Sequence, residues 1–187
     1  KGIRNLIMAT LLTRTDLLSL EQYAAQRDEF RKRVIAHKKH RRVGIGKHLL
    51  LYFEDQLTIQ YQVQEMLRIE KIFETEGINE ELDAYNPLIP NGCNLKATAM
   101  LEYQDVAERK QQLAVLRGIE DTVWLQVDGH EPVYAISNED QERSNEEKTS
   151  AVPFMRFELD DGMIAALKNG AGLSFGSDHE MYPHSSE

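Results

Sequence analysis

Glu70 is the acidic residue whose setting is most at odds with its charge. On a helical wheel over residues 62–76, Val63, Met66, Leu67 and Phe73 define an apolar arc, and Glu70 falls inside it. Glu74 follows four residues on along the same edge, whereas Arg68 points nearly the other way. A carboxylate on a core-facing arc must be paired, hydrogen-bonded, protonated or used. One reading is an ion pair with a cation from another element, the commoner arrangement. The other makes Glu70 and Glu74 catalytic candidates, metal ligands or acid–base groups lining a pocket.

The remaining chemistry-bearing residues are weaker signals. The six histidines are His37, His40, His48, His130, His179 and His184. His37 and His40 are neighbours on one helix, a spacing at which imidazoles share a metal, but no carboxylate lies nearby on that face. His37 also continues the stripe of Tyr23, Phe30 and Val34, which predicts a half-buried, hydrogen-bonded side chain. Cys93 is the single cysteine, so it forms no internal disulfide and holds no thiolate zinc site or iron–sulfur cluster. Gly44-Ile45-Gly46-Lys47 lacks the spacing of either phosphate-binding loop and reads as a hairpin turn. There is no Gly-x-Ser-x-Gly elbow. No cofactor and no resident metal are expected.

A basic belt runs through Arg31, Lys32, Arg33, Lys38, Lys39, Arg41, Arg42 and Lys47, on a chain whose formal net charge is -9. Lys38, Lys39, Arg41, Arg42 and Lys47 are the candidate partner-binding residues, a docking surface for an acidic partner. The bland alternative is a solvated helix face balanced by the acidic stretch 138–148. No aromatic residue interleaves the belt, so stacking on bases is unsupported, and the overall charge repels nucleic acid and anionic lipid.

The elements that must position these residues follow from periodicity. Ser19 with Gln22 is a capping pair that opens a helix to about Arg41. Leu49 to Phe53 is a continuous apolar run. Leu57, Ile59, Tyr61 and Val63 alternate with polar residues, which predicts a hairpin turning at Asp55. Helical spacing over 63–76 then ends at Gly77, with a short helical turn at 79–85. A rigid proline loop, 86–92, precedes a strand at 95–103. Asp105 with Glu108 starts a helix that Gly118 closes. Residues 122–127 and 132–137 form a second hairpin across Asp128-Gly129-His130-Glu131. Residues 138–150 are expected as a surface excursion. A strand at 152–159 has Pro153 at its start or at a sheet edge. Asp160 or Asp161 caps a helix ending at Gly170, and 173–175 returns to the sheet.

Several segments resemble an uncharacterised bacterial family that carries a domain-of-unknown-function label. They are Leu12-Thr13-Arg14-Thr15-Asp16-Leu17-Leu18-Ser19-Leu20-Glu21, 64–73, 81–92 with Asn86-Pro87-Leu88-Ile89-Pro90, 147–159 with Glu147-Lys148-Thr149-Ser150-Ala151-Val152, and 175–179. Genes of this family often neighbour those of rubrerythrin-like di-iron proteins and iron–sulfur oxidoreductases. The resemblance implies a role in redox metabolism or peroxide defence and a redox protein as partner. It supplies no catalytic residues to transfer.

At 187 residues with 41% hydrophobic composition the chain suits one domain with a real core. The expected fold is α+β: one antiparallel or mixed sheet built from hairpins and packed by about three main helices, spanning 12–179. Residues 1–11 are expected as a loose extension, with Met8 as the natural start, and 180–187 as a flexible tail. No apolar run approaches the roughly 20 residues that span a bilayer, and the absence of cysteine pairs points to the cytoplasm. The expected function is a non-enzymatic accessory or binding protein in a redox system. A small enzyme or metal-binding protein with a pocket around Glu70 is the alternative.

Overall fold

The computed structural model describes residues 11–137 and 152–186. The elements in chain order are α1 (Leu20–Lys38), β1 (Arg42–Ile45), β2 (Leu49–Phe53), α2 (Gln56–Ile69), α3 (Thr75–Tyr85), β3 (Asn94–Leu101) and α4 (Val106–Val115). Then come β4 (Val123–Val127), β5 (Val133–Tyr134), β6 (Phe154–Glu158), α5 (Asp161–Lys168), β7 (Leu173–His179) and β8 (Tyr182–Ser186). The fold is α+β, and every strand pairing is antiparallel.

Two four-stranded sheets, ordered β1-β2-β3-β6 and β5-β4-β7-β8, replace the one sheet expected. Alternation along β3 and β4 sends every second side chain inward. Leu51, Ala97, Ala99 and Phe157 of one sheet share a core with Val123, Leu125 and Phe175 of the other. The ring of Phe175 lies 5.3 Å from Phe53 and 6.4 Å from Phe157, locking the sheets face to face. Open sheet edges expose unpaired backbone groups, and here both sides of the sandwich are bridged. Ile136 exchanges two backbone bonds with Arg156, of 2.8 and 2.9 Å, which joins the segment just after β5 to β6. On the other side Tyr182 of β8 bonds the backbone of β1 and β2. The result approaches a flattened barrel.

Helices α4 and α5 pad this barrel. Each starts where its sequence signal placed it: Asp105 accepts from the Glu108 N–H and Asp160 from the Met163 N–H. Leu113 and Met163 then enter the barrel core. Gly118, at φ +80, makes the turn that follows α4.

Helices α1, α2 and α3 form a separate layer with two apolar clusters of their own. Residues 57–63, expected as a strand, lie inside α2, and Asp55 is its N-cap rather than a hairpin turn. The reason is packing on two sides. Leu57 and Tyr61 face Tyr23 and Phe30 of α1, while Ile59, Val63 and Leu67 face α3 and the loop after it. A helix apolar on two faces can place its apolar residues at every second position, which imitates a strand. Gly77, expected to end a helix, lies within α3.

The segment before α1 is held by side-chain amides. Asn86 accepts from the Leu12 N–H and donates to the Leu12 carbonyl, at 2.8 and 2.9 Å. Gln64, fully buried, does the same for Leu18 at 2.6 and 3.2 Å. Each amide supplies the two bonds that a neighbouring strand would have supplied. The end of the chain is also corrected: β8 pairs with β7 over Tyr182–Ser186, and Tyr182 is buried, where a loose tail was expected. The excursion at 138–150 and nearly all of the 1–11 extension lie outside the described residues.

Candidate functional site

Glu70 is exposed. Helix α2 stops at Ile69, Glu70 is its C-cap, and Lys71 takes a left-handed φ of +56. The chain therefore turns before Phe73, which is 73% exposed, so the apolar arc that enclosed Glu70 does not extend that far. Glu74 is exposed as well, at the N-cap of α3 with no side-chain capping bond. Near Glu70 lies Glu81, whose carboxyl is pushed above its ordinary range by burial first and then by the charges of Glu70 and Glu80. The expectation of a buried pocket around Glu70 is thus overturned by the end of α2.

Carboxylates more enclosed than Glu70 lie elsewhere, among them Glu120, Glu54 and Glu65. Glu54, 8% exposed, accepts from the hydroxyls of Thr58 and Thr98. Glu65, on the α1-facing side of α2, accepts from Arg27 Nε at 2.7 Å, Arg27 Nη2 at 3.0 Å and the Tyr23 hydroxyl at 2.6 Å. The Arg27 bonds hold the Glu65 carboxyl below its usual range, against the opposing effect of burial, with the Tyr23 bond helping. Burial and the Glu65 charge push the Tyr23 phenol well up. This is the commoner reading that was made for Glu70, realised five residues earlier. Both carboxylates look structural, since their acceptor capacity is used by the neighbouring elements.

His37 is half-buried, as its stripe position implied, and its Nε2 lies 2.6 Å from Asp55 Oδ2. Asp55 Oδ1 meanwhile caps α2 through the Thr58 N–H. Arg41 joins them: its Nε sits 3.4 Å from Asp55 and donates to the Phe53 carbonyl at 3.3 Å. The three side chains tie the end of α1 to the start of α2. Arg41 is only 10% exposed, which removes it from the docking face to which its sequence position had assigned it.

Of the other belt residues, Lys39, Arg42 and Lys47 are exposed and Lys38 is half-buried, with no ion pair to any of them among the described residues. Arg31, Lys32 and Arg33 are exposed along α1. Lys32 makes a loose 3.4 Å contact with Glu29, and Arg33 lies over the Phe30 ring at 4.7 Å. The end of α1 and the β1–β2 hairpin therefore carry a cationic surface.

Lys47 is also one wall of a cleft of about 660 Å³ between the β1–β2 turn, the end of β3 and the start of α4. Gly46 makes that turn at φ +64. His48 follows, its backbone N–H donating to the Tyr182 hydroxyl at 2.9 Å. Its Nδ1 lies 2.8 Å from the Glu102 carbonyl. A carbonyl only accepts, so Nδ1 carries the proton and Nε2 is the remaining ring position. The ring stacks on Tyr103 at 4.2 Å with a 12° tilt. Burial, then the neighbouring Tyr182 and Glu108, raise the Tyr103 phenol. Glu102, Gln104, Glu108 and Arg109 add to the polar lining. Sequence reasoning assigned His48 no role. The only local sign was its place beside a glycine turn; Tyr103 comes from β3 and Tyr182 from β8.

Among the described residues no three His, Cys, Asp or Glu side chains converge on a metal-sized site, and no helix is long and apolar enough to cross a membrane. Cys93 is exposed.

The family model DUF3501, described as a protein of unknown function, matches residues 11–187. A crystal structure of a novel protein of unknown function from Burkholderia pseudomallei K96243 is 58% identical, with a TM-score of 0.90 over 95% of this chain and 92% of that one. No curated protein matches the chain.

Proposed function

We propose a function for a chain that belongs to the DUF3501 family: it is a non-enzymatic binding protein that docks an acidic protein partner through its cationic face. The observation that supports this reading is the state of Lys39, Arg42 and Lys47. They are exposed and without an ion pair among the described residues, on a chain with a net charge of -9. Exposed cations on a chain of opposite overall charge orient and speed encounter with a complementary surface. The partner class that the family resemblance implied, a rubrerythrin-like protein or an iron–sulfur oxidoreductase, is the first to test.

The test reverses Lys38, Lys39, Arg42 and Lys47 to Glu and leaves the inward-facing Arg41 intact. Circular dichroism should report an unchanged fold. Binding to a purified rubrerythrin-like protein should weaken with rising salt for the parent chain and be lost in the variant. Equal binding by both proteins would overturn the docking face. Tight, salt-dependent binding of single-stranded RNA by the parent chain alone would replace the protein partner with a nucleic acid.

A further inference from the structure

We propose that the cleft beside His48 and Tyr103 binds a small zwitterion, a molecule carrying an ammonium and a carboxylate such as a free α-amino acid or a short peptide. The inference is separate from the docking face, and Lys47 is the residue they share.

Three observations lead there. The first is Tyr103, which is 8% exposed yet has no hydrogen bond to its hydroxyl among the described residues. It lines the cleft. Its oxygen is reached by solvent, so the hydroxyl opens on the cleft and is available to a ligand there. The second is His48. Its Nδ1–H is committed to the Glu102 carbonyl and its plane is held against Tyr103, so the ring is preorganised while Nε2 has no partner among the described residues. An imidazole oriented through one nitrogen offers the other to a ligand.

The third observation selects the ligand. Lys47, Arg109, Glu102 and Glu108 all line the same cleft, and none of the four is in an ion pair among the described residues. Two positive and two negative side chains balance. A simple anion meets repulsion beside its attraction, and a simple cation does the same. A molecule with both charges gains from both pairs, and the volume of the cleft lies in the range of small-molecule sites.

The experiment uses the whole chain with isotope-labelled histidine and tyrosine, followed by NMR. L-Alanine, L-leucine and alanyl-alanine are titrated, with acetate and methylammonium as single-charge controls. The zwitterions should shift the His48 and Tyr103 signals saturably, and each control should bind at least about tenfold more weakly. Whether the amino acid or the dipeptide binds better identifies the source of the shared chemistry. Y103F, which keeps the ring, and E108Q, on the exposed face of α4, should each weaken binding about fivefold. Acetate binding as well as alanine, no saturable shift with any zwitterion, or unchanged binding in both variants would overturn the site.

Discussion

The hydroxyl of Tyr182 donates to the carbonyl of Ile45 at 2.8 Å, tying β8 to β1. The same oxygen accepts from the backbone N–H groups of His48 and Leu49, at 2.9 and 3.3 Å. One side chain thus serves three backbone groups of the β1–β2 hairpin, where no strand-to-strand pairing closes the barrel. Gly46 sits directly beneath: a Cβ there would come within 2.6 Å of the Tyr182 hydroxyl and 2.8 Å of the His184 ring.

Tyr182→Phe should therefore destabilise the fold by about 1–3 kcal/mol, because buried backbone groups lose their partner while the ring still packs. Gly46→Ala should destabilise it too, through both the crowding and the positive φ. Denaturant titration checks both, and a Y182F midpoint equal to that of the parent would show that the closure does not depend on this hydroxyl.

Glu65 predicts an acid limb in the stability curve. Its carboxyl is held down chiefly by the Arg27 hydrogen bonds, so its folded pKa lies below its unfolded value. The stabilisation is present above the unfolded pKa and is lost as pH falls through the folded one. Glu65→Gln should lower the melting temperature at neutral pH, and the gap from the parent should narrow as the solution is acidified below about pH 4. A gap that stays constant across the acid range would mean that the charge of Glu65 contributes nothing.

Glu70→Gln should change stability by less than about 0.5 kcal/mol, as expected of an exposed position that is in no ion pair among the described residues. It should also bring the Glu81 carboxyl closer to its ordinary range, since Glu70 is one of the charges raising it. Carbon-detected NMR titration of Glu81 reads the second effect. A loss of several kcal/mol in the same variant would place Glu70 in a buried network and contradict the exposed C-cap.

Local bonding made much of this chain legible from its residues alone. Ser19 and Asp105 cap the helices they were expected to cap, and Asp160 is the one of the two expected candidates, Asp160 and Asp161, that caps α5, because a cap is a bond across three residues. The β4–β5 hairpin, the half-buried His37 and the α+β class follow from equally short-range patterns. Tertiary structure decided whatever depends on which surfaces meet. Leu57 and Tyr61 alternate like a strand until α1 is known to cover one side of α2. Glu70 belongs to an apolar arc until Lys71 turns the chain and leaves Phe73 in solvent. Arg41 belongs to a cationic face until Asp55 draws it inward. His48 has no role until β3 sets Tyr103 against its ring and β8 brings the Tyr182 hydroxyl to its backbone. Periodicity reports that a residue faces something apolar or polar; only the packing of distant segments determines what that something is.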